Sequence, residues 1–418
     1  MDDQRKYRLM ALINETFTPG SPIDSKDLFA GRMRQRDKLI NTIFQKGEHA
    51  ILYGERGVGK TSLANTLFDF LVFMGEFKYY RAKTNCSSDM SFEEIWASIF
   101  KQFVFTNGDE SETVDKVLPE NPNSENIRET FQIFGERSIV IIDELDKVED
   151  EEVIRRLSDT VKTLSDNRIG TTLILVGVGD SIDQLLGEHP SIERNIIQVH
   201  MKRMAKSELL EIIDKGLSKL EGLTIDIDAK ERITDYSQGL PYYTHLLARE
   251  SALHAVTNGR THMTKADLEE AIREAVDNQL ESHLTAYNKA VYAPRGKNFK
   301  PVLLACALAQ KNDQQWFFPR DVMEPLRLIT STNYDVPAFV RHLKLFCEES
   351  RGCILERRGP PRKLQYRFKK PLVEPYIVLR GLADGLIKEA QLSRPSPSST
   401  VPVQLSLLSF DVDLEIKP

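Results

Sequence analysis

The chain is 418 residues long, which exceeds one ordinary core and suggests two to four domains at roughly 100 to 200 residues each. With 41% hydrophobic and 28% charged residues it has the composition of a globular protein. No run reaches the ~18 uninterrupted apolar residues of a membrane span, since the best candidate, "TLFDFLVFMGEF", is broken by Asp69. The acidic N-terminus "MDDQRKYRLMALINETF" has no apolar core followed by a cleavage site, so a cytoplasmic location with no membrane partner is expected. Cys86, Cys306, Cys347 and Cys353 lie in apolar surroundings without CxxC spacing and read as buried thiols, not as a disulfide framework or zinc site. The net charge of −6 is uneven: Ala286 to Arg380 holds 18 Lys+Arg against 8 Asp+Glu, a +10 module on a −16 body.

In chain order, a polar N-terminal arm comes first. Leu39, Ile40 and Ile43 then have helical spacing that stops at Gly47. "HAILYG" is a buried-strand signal, and helical spacing resumes at Leu63, Leu67, Phe70, Leu71 and Met74. "KYYRAKTNC" reads as a strand and "SFEEIWASIFKQF" as a helix, with Ser91 its N-cap and Glu94 the capping-box partner. Thr106 to Asn126 is polar and breaker-rich, the composition of a surface loop. There follow strand "SIVIIDE", helix "EEVIRRLSDTVKTL", strand "TTLILVGVG", helix "SIDQLLGEH" and strand "NIIQVHM". Continuously apolar strands alternating with helices predict an α/β fold, a parallel sheet covered by helices on both faces.

From Ser207 to about Asn278 the pattern is purely helical: "SELLEIIDKGLSKL", "DAKERITDYSQG", "YYTHLLARESALHAV" and "TKADLEEAIREAV". From Phe299 to Arg380 three helices precede two short strands, "CILERR" and "KLQYRF", joined by "GPP". The tail is Ser/Pro-rich and ends in "LSLLSFDVDLEI". It is either a disordered end or a strand that adds to a protein effector.

The stretch "HAILYGERGVGKTSL" fits G-x-x-x-x-G-K-[ST] at Gly54, Gly59, Lys60 and Thr61, after a buried strand and before an amphipathic helix. Glycines let backbone N–H groups turn inward around phosphates, and the helix N-terminus adds favourable dipole charge. Gly54, Glu55, Arg56, Gly57, Val58, Gly59, Lys60, Thr61 and Ser62 are therefore expected to cradle ATP, with Lys60 on the β- and γ-phosphates and the Thr61 hydroxyl on Mg²⁺. About eighty residues on, "SIVIIDELDKV" ends a buried strand in an acidic pair, Asp143 for the metal and Glu144 for the attacking water.

"LFAGR" roughly twenty-five residues before that loop, then "GERGVGKTS", "IVIIDE" and "LILVGVGD", resemble an AAA+ ATPase. The likeness is specifically to the branch joining replication initiators to the signal-transduction ATPases called STAND, over Leu28 to Arg380. The resemblance implies a P-loop NTPase core at 28–204, after the arm at 1–27. A helical lid (205–284), a winged-helix domain (285–385) and a flexible tail (386–418) complete the chain. It places Gly31 and Arg32 near the adenine and Asp180 at the sensor-1 position. Family members carry Asn, Ser or Thr there, whereas an ionised Asp only accepts hydrogen bonds. It also places Arg194 as an arginine finger reaching a neighbouring subunit; the alternative is a helix-end arginine satisfying carbonyls or pairing with Glu193. Gly239 and Pro241 match the Gly-x-Pro of STAND lids, where initiators would have a sensor-2 arginine in place of Tyr242; a plain helix-start turn is the alternative.

Val336, Phe339, Val340, Leu343 and Phe346 would face the core of the basic module, leaving Arg341, His342 and Lys344 outward. Arg357, Arg358, Arg362, Lys363, Arg367, Lys369 and Lys370 crowd its hairpin. Arg357, Arg358, Arg362, Lys363 and Arg367 are the expected contacts to double-stranded DNA, a protein interface being the alternative. Two functions fit: an ATPase switch that forms a homo-oligomer on ATP and docks DNA, or a STAND-type signalling protein whose winged helix and tail contact proteins. A P-loop kinase is disfavoured because no second substrate site is visible.

Overall fold

The computed structural model describes residues 1–73, 79–107, 110–135, 137–186, 194–278, 281–292, 298–361 and 363–388. Helices α1 (Asp3–Thr16) and α2 (Met33–Phe44) precede β1 (His49–Gly54), α3 (Lys60–Phe73), β2 (Tyr80–Asn85) and α4 (Phe92–Phe100). Then come β3 (Val104–Asn107), β4 (Glu110–Thr113), α5 (Ser124–Phe134), β5 (Ser138–Asp143), α6 (Glu151–Asp166), β6 (Thr171–Val178), α7 (Asp183–Leu186) and β7 (Ile196–His200). Five of these strands pair in parallel in the order β2-β5-β6-β1-β7, with the apolar runs β5, β6 and β1 inside and the more polar β2 and β7 at the edges.

Alternation along each strand divides the core in two. Ala50, Leu52, Ile139, Ile141, Ile174 and Val176 pack with Leu63 and Leu67 of α3. Ile51, Val140, Ile142, Leu173 and Leu175 face Ile95 and Trp96 of α4, Phe131 of α5 and Leu157 of α6. Both faces of the sheet are thus covered, and Gly54 and Asp143 end their strands at the carboxyl edge, with Asp180 two residues beyond β6, on the side where open parallel sheets bind ligands. The Ser91–Glu94 capping box forms as expected. Where a loop was expected after Thr106, β3 and β4 pair antiparallel and α5 begins at Ser124 under an Asn123 cap. The predicted helix "SIDQLLGEH" is seen as Asp183–Leu186; its remainder lies outside the described residues.

A helical bundle comes next: α8 (Lys206–Ser218), β8 (Thr224–Ile225), α9 (Ile227–Tyr236), α10 (Pro241–Thr257), β9 (His262–Met263) and α11 (Lys265–Asp277). The N-terminal arm is not a loose extension. It is helix α1, capped by the Asp2 carboxylate on the Arg5 N–H (2.7 Å), and it buries Leu9 and Ile13, with Phe17 just beyond its end, against this bundle. These buried residues are four apart, one per turn, and Met10 and Leu12 pack beside them; the apolar run Leu9 to Ile13 is too short to mark a helix by its period. Gly216 of α8 makes room for it: a Cβ there would lie 2.4 Å from the Phe17 ring.

The C-terminal module comprises α12 (Glu281–Val291), α13 (Phe299–Leu308), α14 (Met323–Thr330), α15 (Val336–Leu345), the hairpin β10 (Leu355–Arg358) and β11 (Gln365–Phe368), and α16 (Val373–Ala383). The three helices and hairpin match expectation. Helix α16 does not end the module passively: it inserts Val373, Tyr376, Ile377 and Leu379 into the core and packs against α11 and α13. The tail motif "LSLLSFDVDLEI" lies outside the described residues.

Candidate nucleotide-binding site

Residues 54–59 turn the chain from β1 into α3 through backbone angles that favour glycine. Gly54, Gly57 and Gly59 have φ of 150°, 90° and 91°. At Gly54 a Cβ would come within 2.3 Å of the Met201 carbonyl oxygen, whereas nothing lies within 4 Å of one at Gly59, so the loop is packed at its base and open at its mouth. Lys60 opens α3, and its Nζ folds back to donate to the carbonyls of Gly54 (3.0 Å) and Glu55 (2.9 Å). Burial pulls this ammonium down to about 8, against the opposing pull of Asp146, Asp143 and Glu55. An anion in the loop would offer the buried ammonium a charged partner in place of two neutral carbonyls. Thr61 follows in the first turn, and the Ser62 hydroxyl accepts from the Ile23 N–H (3.1 Å).

Two strands away from β1, β5 ends at the buried Asp143. Its Oδ1 accepts the Glu144 N–H (2.9 Å), and its Oδ2 lies 3.1 Å from Lys83 Nζ, a residue with no motif to single it out in the sequence. Glu144 sits in the left-handed region (φ 58°), an uncommon and strained place for a side-chain-bearing residue, and its carboxylate is paired at 2.7 Å with Lys147. Thr61 and Asp143 supply hard oxygen ligands of the kind a magnesium ion takes.

On the opposite rim, Gly31 and Arg32 also have positive φ (63° and 60°). Their N–H groups donate to carboxylates of α8, Gly31 to Glu211 (3.0 Å) and Arg32 to Glu208 (2.7 Å). The buried Arg32 side chain donates to the Val58 carbonyl (2.8 Å), and its Nε has no partner. The resemblance expected this pair to border the base, and the structure brings it onto the P-loop. Pro241 is the first residue of α10, after Gly239 at φ 78°.

Residues 45–186 match the AAA domain family. The match spans β1 to α7 and includes both the glycine loop and the Asp143–Glu144 pair. Among curated proteins no match is found. The fold is similar to that of the Walker-type ATPase Paby2304 of Pyrococcus abyssi, at 16% identity over 86% of this chain and 98% of that one, TM-score 0.51. It is also similar to the ORC2 protein of Aeropyrum pernix in its ADPNP–ADP complexes, at 14% identity over 87% of this chain and 99% of that one, TM-score 0.50. At these identities the likeness is one of fold.

The AAA domain is tied to the helical bundle and to the C-terminal module. Arg203, just after β7, is largely buried and holds three parts of the chain together. It pairs with Glu55 of the P-loop (2.6 Å) and with Glu374 of α16 (2.9 Å), and donates to the Gln238 carbonyl before α10 (3.1 Å). The other Glu374 oxygen lies 3.0 Å from Lys311. Burial alone would raise the Glu374 carboxyl, but the charges of Arg203 and Lys311 outweigh it and hold the group below its ordinary range. Beside this buried chain of charges, Leu372 covers the loop: a Cβ on Gly57 would meet it at 3.2 Å, and the Tyr243 hydroxyl donates to the Leu372 carbonyl (2.6 Å).

The remaining expected residues separate. Asp180 accepts two hydrogen bonds from Arg367 of β11 (2.6 and 2.7 Å). Arg367 therefore faces the AAA domain and not solvent, further held by Glu356 (2.7 Å) and the Trp316 ring (4.5 Å). The Arg358 guanidinium also lies against the Trp316 ring, 4.3 Å from its centroid, while the residue stays exposed. Arg357 and Lys363 are exposed, and Arg362 lies outside the described residues. Arg194 is exposed two residues before β7, the edge strand of the sheet. Lys83, Arg203, Lys311, Leu372 and Glu374 carry no sequence signal because their roles arise only when distant segments meet.

Proposed function

We propose that the protein is an ATP-hydrolysing switch of the AAA+ type that forms homo-oligomers on ATP and docks double-stranded DNA through a C-terminal winged helix. The observation that carries this reading is the glycine loop with buried Lys60 at its base and Asp143 and Glu144 two strands away. The loop N–H groups and Lys60 bind the phosphates once the lysine releases the two carbonyls. Thr61 and Asp143 would hold Mg²⁺, whose positive charge would offset that of the phosphates. Glu144 orients the attacking water after leaving Lys147, Arg194 serves an adjacent subunit, and Asp180 senses the phosphate end once free of Arg367. Exposed Arg357, Arg358 and Lys363, with Arg341 and Lys344 on α15, supply the charge for a nucleic-acid backbone.

The test is ATP turnover and gel filtration of wild type and Lys60→Ala, with and without duplex DNA. Wild type should hydrolyse ATP, assemble with it and be stimulated by DNA; Lys60→Ala should lose nucleotide binding by about 100-fold or more, the loss of a charge-assisted contact pair. A wild-type protein that stays monomeric with ATP and ignores DNA refutes the switch reading.

The clamp of the C-terminal module on the P-loop favours a second reading, a STAND-type signalling protein held closed by its winged helix, with a protein effector engaged by the tail. Arg357→Glu combined with Lys363→Glu separates the two. Loss of DNA binding with unchanged ATP response supports the first, and unchanged DNA behaviour the second.

A further inference from the structure

Lys83 lies on β2 in register with Ile141 of β5, and Asn85 with Asp143. In a parallel pair, residues in register share a face, so Lys83 and Asp143 both look toward α3. There the Lys83 ammonium is engaged from two sides: it lies 3.1 Å from Asp143 Oδ2 and donates to Asn65 Oδ1 at 2.8 Å. Asn65 stands one turn along α3 from Thr61. Asn65, Lys83 and Asp143 thus form one continuous group one helical turn from Thr61, with the carboxylate side chain 4% exposed and the lysine 28%.

A carboxylate this deep is costly without a compensating charge. The P-loop lysine is turned to carbonyl oxygens and acts on Asp143 only through its longer-range field, so the direct ion pair comes from Lys83. Lysine suits this because it is a point charge on a flexible stem, able to move toward Asn65 and give up Oδ2. We propose that Lys83 is the resident counter-ion of Asp143, a positioning residue that cancels its charge so that a divalent cation is taken up only together with the triphosphate. The inference rests on the reading of Thr61 and Asp143 as metal ligands. It adds that the site is electrically balanced without metal and is therefore closed to free Mg²⁺ or Mn²⁺.

The experiment uses the full chain without nucleotide, titrated with Mn²⁺ and followed by the electron paramagnetic resonance signal of free Mn²⁺. Lys83→Met should bind one Mn²⁺ at least about tenfold more tightly than wild type, the scale expected when one like charge leaves a partly screened site. Lys83→Arg should behave as wild type, and the gain should vanish in Lys83→Met combined with Asp143→Asn. Equal Mn²⁺ affinity in wild type and Lys83→Met, or a gain that survives Asp143→Asn, overturns the proposal. Lys83→Gln takes the place of Lys83→Met if the latter does not melt cooperatively. Binding of a fluorescent ATP analogue without metal is measured in parallel. Its failure in every variant, wild type included, counts against the nucleotide reading alone, while the Mn²⁺ comparison still decides the role of Lys83.

Discussion

Glu144→Gln is expected to lower ATP turnover by a factor on the order of 10² to 10⁴, the range supplied by a positioned general base, while nucleotide binding stays within a fewfold of wild type. The fold should survive the change. Glu144 is partly exposed and its contact with Lys147 is a surface ion pair, of a kind worth at most about 1 kcal/mol. Glutamine keeps the size and the left-handed backbone geometry, so what is removed is the charge, the surface pair with Lys147 and the capacity to take a proton. The variant should accumulate in an ATP-bound assembly, since resetting requires the step it lacks. Phosphate release measured beside nucleotide affinity checks this; turnover within threefold of wild type would remove Glu144 from the chemistry.

Arg203→Met should destabilise the protein by about 3–5 kcal/mol, because it leaves buried acids facing one another without their shared cation. Glu55 and Glu374 both lose their partner at 2.6 and 2.9 Å, and Lys311 alone remains beside Glu374. The pH dependence has a definite sign. Glu374 is depressed below its ordinary value of 4.5, so its contribution is present above that value and is lost as pH falls through the lower folded value. Without Arg203 the carboxyl rises, so this acid-linked loss shrinks, and the variant's stability deficit relative to wild type should narrow as pH falls towards 4. Thermal melting from pH 4 to 8 and limited proteolysis report both effects, with the C-terminal module cleaved away from the AAA domain first. A variant that melts and is cleaved like wild type would show that the charge chain holds nothing in place.

The parts legible in the sequence are those whose signal is local. The three inner sheet strands, β1, β5 and β6, are continuous apolar runs, and the glycine loop is recognisable because backbone geometry at Gly54, Gly57 and Gly59 favours residues without a Cβ. Ser91 and Glu94 cap a helix from three residues apart, within sight of each other in the chain. Helix α1 escaped because its apolar residues fall in one short run, Leu9 to Ile13, whose buried face has meaning only beside α10 and Gly216. Arg367 looked like one more charge of a basic hairpin. Its direction is set by Asp180, 187 residues earlier, and by Trp316, neither of which the hairpin's own sequence reveals. Lys83 is similar: a lysine in "RAKTN" reads as a solvated strand residue until the register places it beside Asp143.

Helix α1 has a mechanical consequence. The bundle it completes is attached to the AAA domain twice, once through the segment leading from Phe17 to α2 and once through the segment from β7 to α8. The first strap is fastened along its length, by Lys219 to Asp27 (2.9 Å) and by the Glu208 and Glu211 carboxylates at Gly31 and Arg32. A body hung from two pins cannot twist freely as one hung from a single linker can; it swings about the line that joins them. That line passes beside the P-loop, at Arg32 on one side and Arg203 on the other. A swing of the bundle about that line would be felt at the glycine loop, and cutting the strap between Phe17 and Gly31 should leave the bundle folded but uncoupled from that loop.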